Sequence, residues 1–558
     1  MQYPTMPYFN FTQEIGEPDL VTGEISGIKS EASFYLSTSA AEGLRSSRVA
    51  DITGESSSSE SFKSNYAKLP DYLKSCLDYS AIVCRISYRV EIGKLVRLLL
   101  AEGLIEDRPG DIMEDVAANV LKELIDLGML QEEELYSPVG HGTVVKDPAS
   151  YLQLCILKLE KQDFVSKTAN SPVRLGIRDD GRDIYPNVEG LLIQSLFILS
   201  VDCRRYSVDS PRGLSRAYMR NVCGMHFLLV LDLDGRIERL PDELGDLIHL
   251  RYLGLVGSNL DELPGTLGNL KRLQTLDIRW CRQLRKLPIQ ILHIQQLRHL
   301  LMSDRVFGGE IRVPKGIGRL VNLHTLSGIY GGDDIAMELI ALTQLRELGV
   351  KRVSADHASE LFAAIKKMEN LTSLSLEAER NLFADWMRFS IFPELDAFSP
   401  PPLLQEFFLR GGLIEMPVWF ASMENLTRLS LFNSYLSENP TSVLQLLPKL
   451  KHLKLCHAYK ARHIGKEFCN AGGFPVLETL TIASEFLAEW TEIETGAFPR
   501  LRYLCFRNCG NLIFLPEGLQ NISTLQDLRF LPWNPDLKRR LMGEENYKIK
   551  HVRVFGKV

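Results

Sequence analysis

Three things are scarce in this 558-residue chain: long apolar runs, paired cysteines and excess charge of one sign. No uninterrupted apolar stretch approaches the roughly 18–20 residues a membrane-spanning helix needs, so no span is expected. The opening MQYPTMPYFNFTQEIGEPDL has neither a basic start nor an apolar core and does not read as a secretory signal. Ten cysteines are too sparse for a disulfide scaffold. None forms a C-x-x-C pair, and Cys505 and Cys509, four apart, lack a partner at metal-ligand spacing. Reduced thiols in a cytosolic or nuclear protein are the expectation, and the cytoplasm is taken as the setting. A net charge of −6 offers no broadly basic surface for nucleic acid.

A phosphate cradle is also missing. That chemistry needs G-x-x-x-x-G-K-[ST], whose backbone N–H groups surround the phosphates. The Gly-Lys pairs here are Gly93-Lys94, Gly465-Lys466 and Gly556-Lys557, and none is followed by Ser or Thr. Catalysis finds no constellation either. His141 stands by itself among glycines, and Cys456 and His457 are chain neighbours whose side chains diverge at a strand end. The chain reads as a non-enzyme.

What is present is leucine at a fixed period. The phrase L-x-x-L-x-L begins at Leu228, Leu250, Leu273, Leu297, Leu323, Leu345, Leu371, Leu404, Leu426, Leu450, Leu477, Leu501 and Leu525, with a weaker string from Ile193. The steps of 22 to 27 residues, with one of 33, match leucine-rich repeats. The central L-x-L alternates as a strand, two leucines inward and one residue on the other face. A later L-P-x-x-[LI]-G-x-L phrase (LPDELGDL, LPGTLGNL) carries a proline that ends the strand and starts a turn. One unit cannot bury its leucines by itself, so the coils must stack. The fold class is an α/β leucine-rich-repeat solenoid, a curved parallel sheet with an irregular or helical convex side.

Small side chains after the strand, at Ser258, Cys281, Ser434 and Cys509, are expected to hydrogen-bond the backbone of adjacent coils. The concave face should present Arg251, Arg298, His299, His324, Arg346, Arg428, Lys451, His452, Lys454 and Arg502. Fewer acids, among them Asp277, Glu347 and Glu478, accompany them, so an acidic protein surface is the expected complement.

Ahead of the repeats, residues 1–65 are polar and serine-rich and read as disordered. Residues 66–165 show helical periodicity. Pro70 marks a helix start, and Gly103 and Gly128 mark two helix ends. SPVGHGTVV (137–145) reads as loop after three helices, which fits a small helical or winged-helix unit. A linker (166–190), the repeats (191–545) and a tail (546–558) follow. The insertion at 377–403 carries Phe383, Trp386, Phe389 and Phe392, read as local packing before partner contact.

LPDYLKSCLDYS resembles the LPxxLKxCFLYC motif of plant nucleotide-binding leucine-rich-repeat resistance proteins, with Leu69, Pro70, Leu73, Lys74, Cys76 and Tyr79 in register. LVRLLLAEGLI resembles that family's LIRLWIAEGFI, with Leu99 and Leu104 where Trp and Phe are usual. PPLLQEFFLRGGLIEMPVWF and FLPEGLQNISTLQDL resemble repeat phrases of the coiled-coil subclass. The resemblance implies an immune receptor of the cytoplasm whose repeats sense a pathogen effector or a guarded host protein. It also implies contacts with the receptor's own or a paired receptor's domains. ADP or ATP is the family's cofactor. The family's Met-His-Asp phrase falls on Val145, Lys146 and Asp147, a departure that, with no cradle, predicts no nucleotide held here. The chain therefore reads as a shortened receptor, with a protein-binding adaptor or decoy as the alternative. An extracellular receptor ectodomain is disfavoured: the sequons at Asn370, Asn425 and Asn521 fall in the repeat phrase itself.

Overall fold

The computed structural model describes residues 34–36, 64–87, 90–137, 140–146, 173–179, 192–200, 214–235, 237–303, 311–332, 334–380, 389–393, 395 and 398–556. The chain divides into two compact units, 1–284 and 285–558.

The first unit opens with β1 (Phe34–Leu36), inside the segment expected to be disordered. A helical block follows: α1 (Asp71–Ile86), β2 (Val90–Glu91), α2 (Ile92–Glu102), α3 (Met113–Asp126), β3 (Gln131–Ser137) and β4 (Gly140–Lys146). Pro70 is the N-cap of α1, and Gly103 ends α2 in the left-handed conformation. Gly128 takes the same conformation just after α3. Leu73, Leu77, Tyr79, Leu95, Leu98, Leu99, Leu121 and Leu124 fill the block's core. Gly140–Val145 of SPVGHGTVV is strand where the sequence reads as loop: β3 and β4 pair antiparallel in a three-stranded sheet of order β2–β4–β3, with Glu132 opposite Val145 and Glu133 opposite Val144. The β-branched Val144 and Val145, both buried, favour strand and override the glycines.

The same unit carries the first repeats as β5 (Val173–Asp179), β6 (Ile193–Ser200), β7 (Val230–Asp234), β8 (Tyr252–Gly254) and β9 (Thr275–Asp277), each parallel to the next. Strand β1 pairs antiparallel with β5. Strand β5 lies where the sequence reads as linker. Helix α4 (Arg216–Cys223) stands between β6 and β7.

The second unit continues the pattern with β10 (His299–Leu301), β11 (Thr325–Tyr330), β12 (Glu347–Val353), β13 (Ser373–Ala378), β14 (Glu406–Arg410), β15 (Arg428–Phe432) and β16 (His452–Cys456). After the short β17 (His463–Ile464) come β18 (Thr479–Ala483), β19 (Glu489–Trp490), β20 (Tyr503–Arg507), β21 (Asp527–Leu531) and β22 (Arg553–Gly556). Strands β17 and β19 pair with each other; the rest form one parallel ladder. Strand β22, in the segment read as tail, pairs with β21. Helices α5 (Ile335–Leu339), α6 (Ala358–Lys366), α7 (Thr441–Leu444) and α8 (Pro535–Met542) stand between strands in chain order.

Register explains why leucine recurs. Leu348, Leu374, Phe407, Leu429, Leu453, Leu480, Leu504 and Leu528 face one another strand to strand, all buried. All thirteen leading leucines are buried as well. The prolines of the L-P-x-x-L-G phrase, Pro241 and Pro264, are N-caps of short 3₁₀ turns. The glycine after the first keeps the coils close: a Cβ at Gly245 would stand 2.7 Å from the Thr266 carbonyl oxygen. Asparagine side chains hook coil to coil, Asn322 donating to the Gln295 carbonyl at 2.9 Å and Asn370 to that of Thr343 at 3.0 Å.

Cys281 and Cys509 donate to the carbonyls of Leu255 (3.1 Å) and Ile482 (3.6 Å), as expected of the small residues after the strand. The Ser258 and Ser434 hydroxyls, both buried, have no hydrogen-bond partner among the described residues. Position eight of the repeat, just past the strand, turns left-handed again and again. Gly235, Gly257 and Gly411 take this conformation at their usual low cost, whereas Trp280, Arg352, Asn433, His457 and Asn508 take it with a side chain.

Candidate functional site

Within the first unit, α2 lies over the strands of the first repeats. Phe197, Val230 and Tyr252, from β6, β7 and β8, belong to the same apolar core as the helical block. Charged groups surround that core. Lys94 Nζ is 2.6 Å from Asp232 Oδ2, and the aspartate side chain is 2% exposed. Glu102, at the end of α2, accepts from Arg174 Nε at 2.6 Å and from the Ser195 hydroxyl. Arg279 bonds Asp277 at 2.8 Å and reaches Glu91 at 3.0 Å. Arg251 donates to the Ala101 carbonyl at 3.4 Å.

The electrostatics follow from burial opposed by guanidinium. Arg279 holds the Glu91 carboxyl below its ordinary range. Burial pushes the Asp277 carboxyl up, but Arg279, with Arg97 and Lys94 behind it, outweighs that and leaves it low. The Tyr252 hydroxyl, pushed well up by burial and by Asp232 and Asp277, has no hydrogen-bond partner among the described residues. Gly254 separates the two aspartates on β8, where a Cβ would sit 2.2 Å from Asp232 Oδ1. Only glycine leaves room for that carboxylate. Sequence reasoning missed Glu102, Asp232 and Gly254. The signal was there: aspartates at position five of two early repeats, opposite a helix carrying Lys94 and Arg97.

The ten basic positions read from the sequence divide. His299, His452 and Lys454 are buried, which corrects their place on an accessible face. The two histidines bond Thr325 (3.1 Å) and Thr479 (3.2 Å) on the next strand. Lys454 Nζ lies 5.5 Å from the centre of the Phe432 ring. Neighbouring strands stand about 4.8 Å apart, so polar side chains in register pair sideways and do not project. Arg428 meets Glu406 at 3.2 Å in this way, and Lys451 meets Glu478 at 3.6 Å. Arg298, His324 and Arg346 are half-buried, as is Arg251, already engaged by the helical block. Arg502 is exposed.

Val145 is buried in β4, opposite Val90, and its carbonyl accepts from the Cys84 thiol at 3.6 Å. A side chain committed to the core does not face a phosphate. Lys146 ends the strand with its side chain outside the described residues, and Asp147 lies outside them too. Val145, the described member of that phrase, offers no group to a nucleotide. Among the described residues, no group of three or more His, Cys, Asp or Glu is placed to hold a metal ion. No helix among them is long and apolar enough to cross a membrane.

In the insertion, Phe392 is buried, and the half-buried Phe389 ring lies 4.5 Å from the Arg410 guanidinium. Phe383 and Trp386 lie outside the described residues.

Residues 86–146 match the family described as "Disease resistance protein Winged helix domain", and residues 215–551 match "Leucine-rich repeat region". An RPP8-like disease resistance protein of Arabidopsis thaliana is 31% identical over 506 residues, covering 88% of this chain and 53% of the relative. Disease resistance protein RPP8 of the same plant is 27% identical over 503 residues, with the same coverage. The chain spans about half the length of these curated relatives. Among solved structures, a leucine-rich-repeat protein of Leptospira interrogans is 22% identical with a TM-score of 0.43, covering 67% of this chain and 93% of its own. With a winged-helix match ahead of a repeat match over most of the chain, this protein belongs to the leucine-rich-repeat family of plant disease resistance proteins.

Proposed function

We propose that this chain is the repeat-bearing part of a plant immune receptor that acts in the cytoplasm by binding protein, not by catalysis. The later repeats recognise a pathogen effector or a guarded host protein, through Arg298, His324, Arg346, Arg428, Lys451 and Arg502. The first repeats regulate the receptor by holding its helical block. One observation carries the reading most directly. Three ionic contacts, the enclosed Lys94–Asp232 and Glu102–Arg174 and the more exposed Glu91–Arg279, tie the winged-helix block to repeats that could otherwise bind a partner. Charge that is buried and paired resists separation until a stronger contact replaces it.

The alternative is an adaptor or decoy that binds without signalling. It is favoured by Val145, which sits in the core where the family's phosphate-sensing phrase falls.

Gene deletion in the host plant followed by inoculation with a panel of pathogens tests both. Affinity capture with the chain as bait, from infected and healthy tissue, accompanies it. Loss of resistance to at least one isolate, with a captured effector or host protein, is the expected result. An unchanged disease response with a captured host protein would transfer the reading to the adaptor.

A further inference from the structure

The turns after β15 and β16 run side by side, the amides of Asn433, Tyr435 and Leu436 donating to the carbonyls of Cys456, His457 and Ala458 at 2.8, 3.0 and 2.9 Å. Tyr435 and His457 are both left-handed, with φ of 50° and 48°, where an L side chain is disfavoured. His457 occupies position eight of its repeat, which Gly235, Gly257 and Gly411 fill in others, and Tyr435 lies two residues past that position in the repeat before it. Their rings lie 6.3 Å apart and are half-buried, and Asn433 donates to the tyrosine oxygen at 3.1 Å. His457 Nδ1 is enclosed with no hydrogen-bond partner among the described residues. A small apolar hollow lies next to this turn, lined by Leu455, Ala458, Tyr459, Ile464, Phe468 and Leu487.

One exposed cation stands beside these rings, and a second follows it in the chain. Lys460 stands 5.9 Å from the centre of the Tyr435 ring, and Arg462 follows two residues on. Neither meets a carboxylate within 4 Å among the described residues. Glu485 is the acid that acts on His457. Fold stability explains neither a histidine held left-handed where glycine serves in three other repeats, nor its enclosed nitrogen left unbonded. Half-buried aromatic rings with a cation beside them are the composition of binding hot spots.

We propose that the Tyr435–His457 edge is a contact point for a protein partner, and that it takes an extended segment whose carboxylates flank an aliphatic residue. The aliphatic side chain packs on the two rings beside the hollow, and the carboxylates meet Lys460 and Arg462. This rests on the reading of the repeats as a protein-binding surface and names one place on it.

The probe is a fluorescein-labelled octapeptide with one leucine between glutamates, read by fluorescence anisotropy against the full chain. Versions with lysines for glutamates and with serine for leucine are the controls. The glutamate peptide should bind, and Tyr435→Ala, or Lys460→Glu with Arg462→Glu, should weaken it about ten-fold or more. His457→Gly and His457→Asn, which fit the left-handed turn, should raise the unfolding midpoint while weakening the peptide. Affinity unchanged in these variants, or equal for the lysine peptide, overturns this site and leaves the capture experiment free to support the repeats elsewhere. Failure of the glutamate peptide to bind at all overturns the proposed partner chemistry. A lowered midpoint in both His457 variants overturns the claim that the turn is strained.

Discussion

Lys94 on α2 and Asp232 on β7 are 138 positions apart in sequence and 2.6 Å apart in space, and the aspartate side chain is almost wholly enclosed. A carboxylate in that position depends on its cation, because the interior offers it little solvation. Lys94→Ala should therefore destabilise the first unit by about 3–5 kcal/mol, whereas Lys94→Met with Asp232→Asn should recover most of the loss. Urea unfolding of the three proteins, with hydrogen exchange on α2, checks this; a mild single-mutant effect would remove the pair from the account.

The repeat core makes a second prediction. Leu276 and Leu453 are fully buried in strand rows, so alanine at either should cost about 2–5 kcal/mol. Leu446, 71% exposed, should tolerate serine with a change below about 0.5 kcal/mol. Unfolding midpoints in denaturant separate the two classes.

Ser258 and Cys281 occupy equivalent places in neighbouring repeats but differ in bonding. The Cys281 thiol, pushed up to about 12 by burial, donates to the Leu255 carbonyl, while the Ser258 hydroxyl is buried without a partner among the described residues. Removing an unbonded buried hydroxyl relieves a desolvation penalty, so Ser258→Ala should be neutral or stabilising by about 1 kcal/mol. Cys281→Ala should destabilise by a similar amount. Equal losses in both would show that the hydroxyl is bonded after all.

His452 links stability to pH. Burial, helped by Arg428 and Lys451 and opposed by Glu406, pushes its imidazole down to about 4 from the usual 6.5. The folded chain thus keeps it neutral where the unfolded chain binds a proton. Stability is full above about 6.5 and falls as the pH drops toward 4, by roughly 3 kcal/mol in all. His452→Gln, which can still bond Thr479, should flatten that slope in unfolding measurements across the same range.

The leading leucines, the proline-started turns and the helix-ending glycines were legible because each obeys a local rule of period or backbone conformation. Pro70, Gly103 and Gly128 sit where such rules put them. Strand β4 was not legible: Gly140 and Gly142 signal a loop, and only pairing with Gln131–Ser137 makes them a strand. The basic face was half legible, since sequence gives charge but not exposure. His299, His452 and Lys454 lie in register with neighbours that cover them.

Periodicity alone determined that this chain coils into stacked parallel repeats, because no single unit can keep its leucines from water. Tertiary structure decided which charges are usable. Glu102 meets Arg174 and Lys94 meets Asp232 only because the winged-helix block packs on β6, β7 and β8. Such pairs depend on distances between segments far apart in the chain, and no local pattern of residues encodes a distance of that kind.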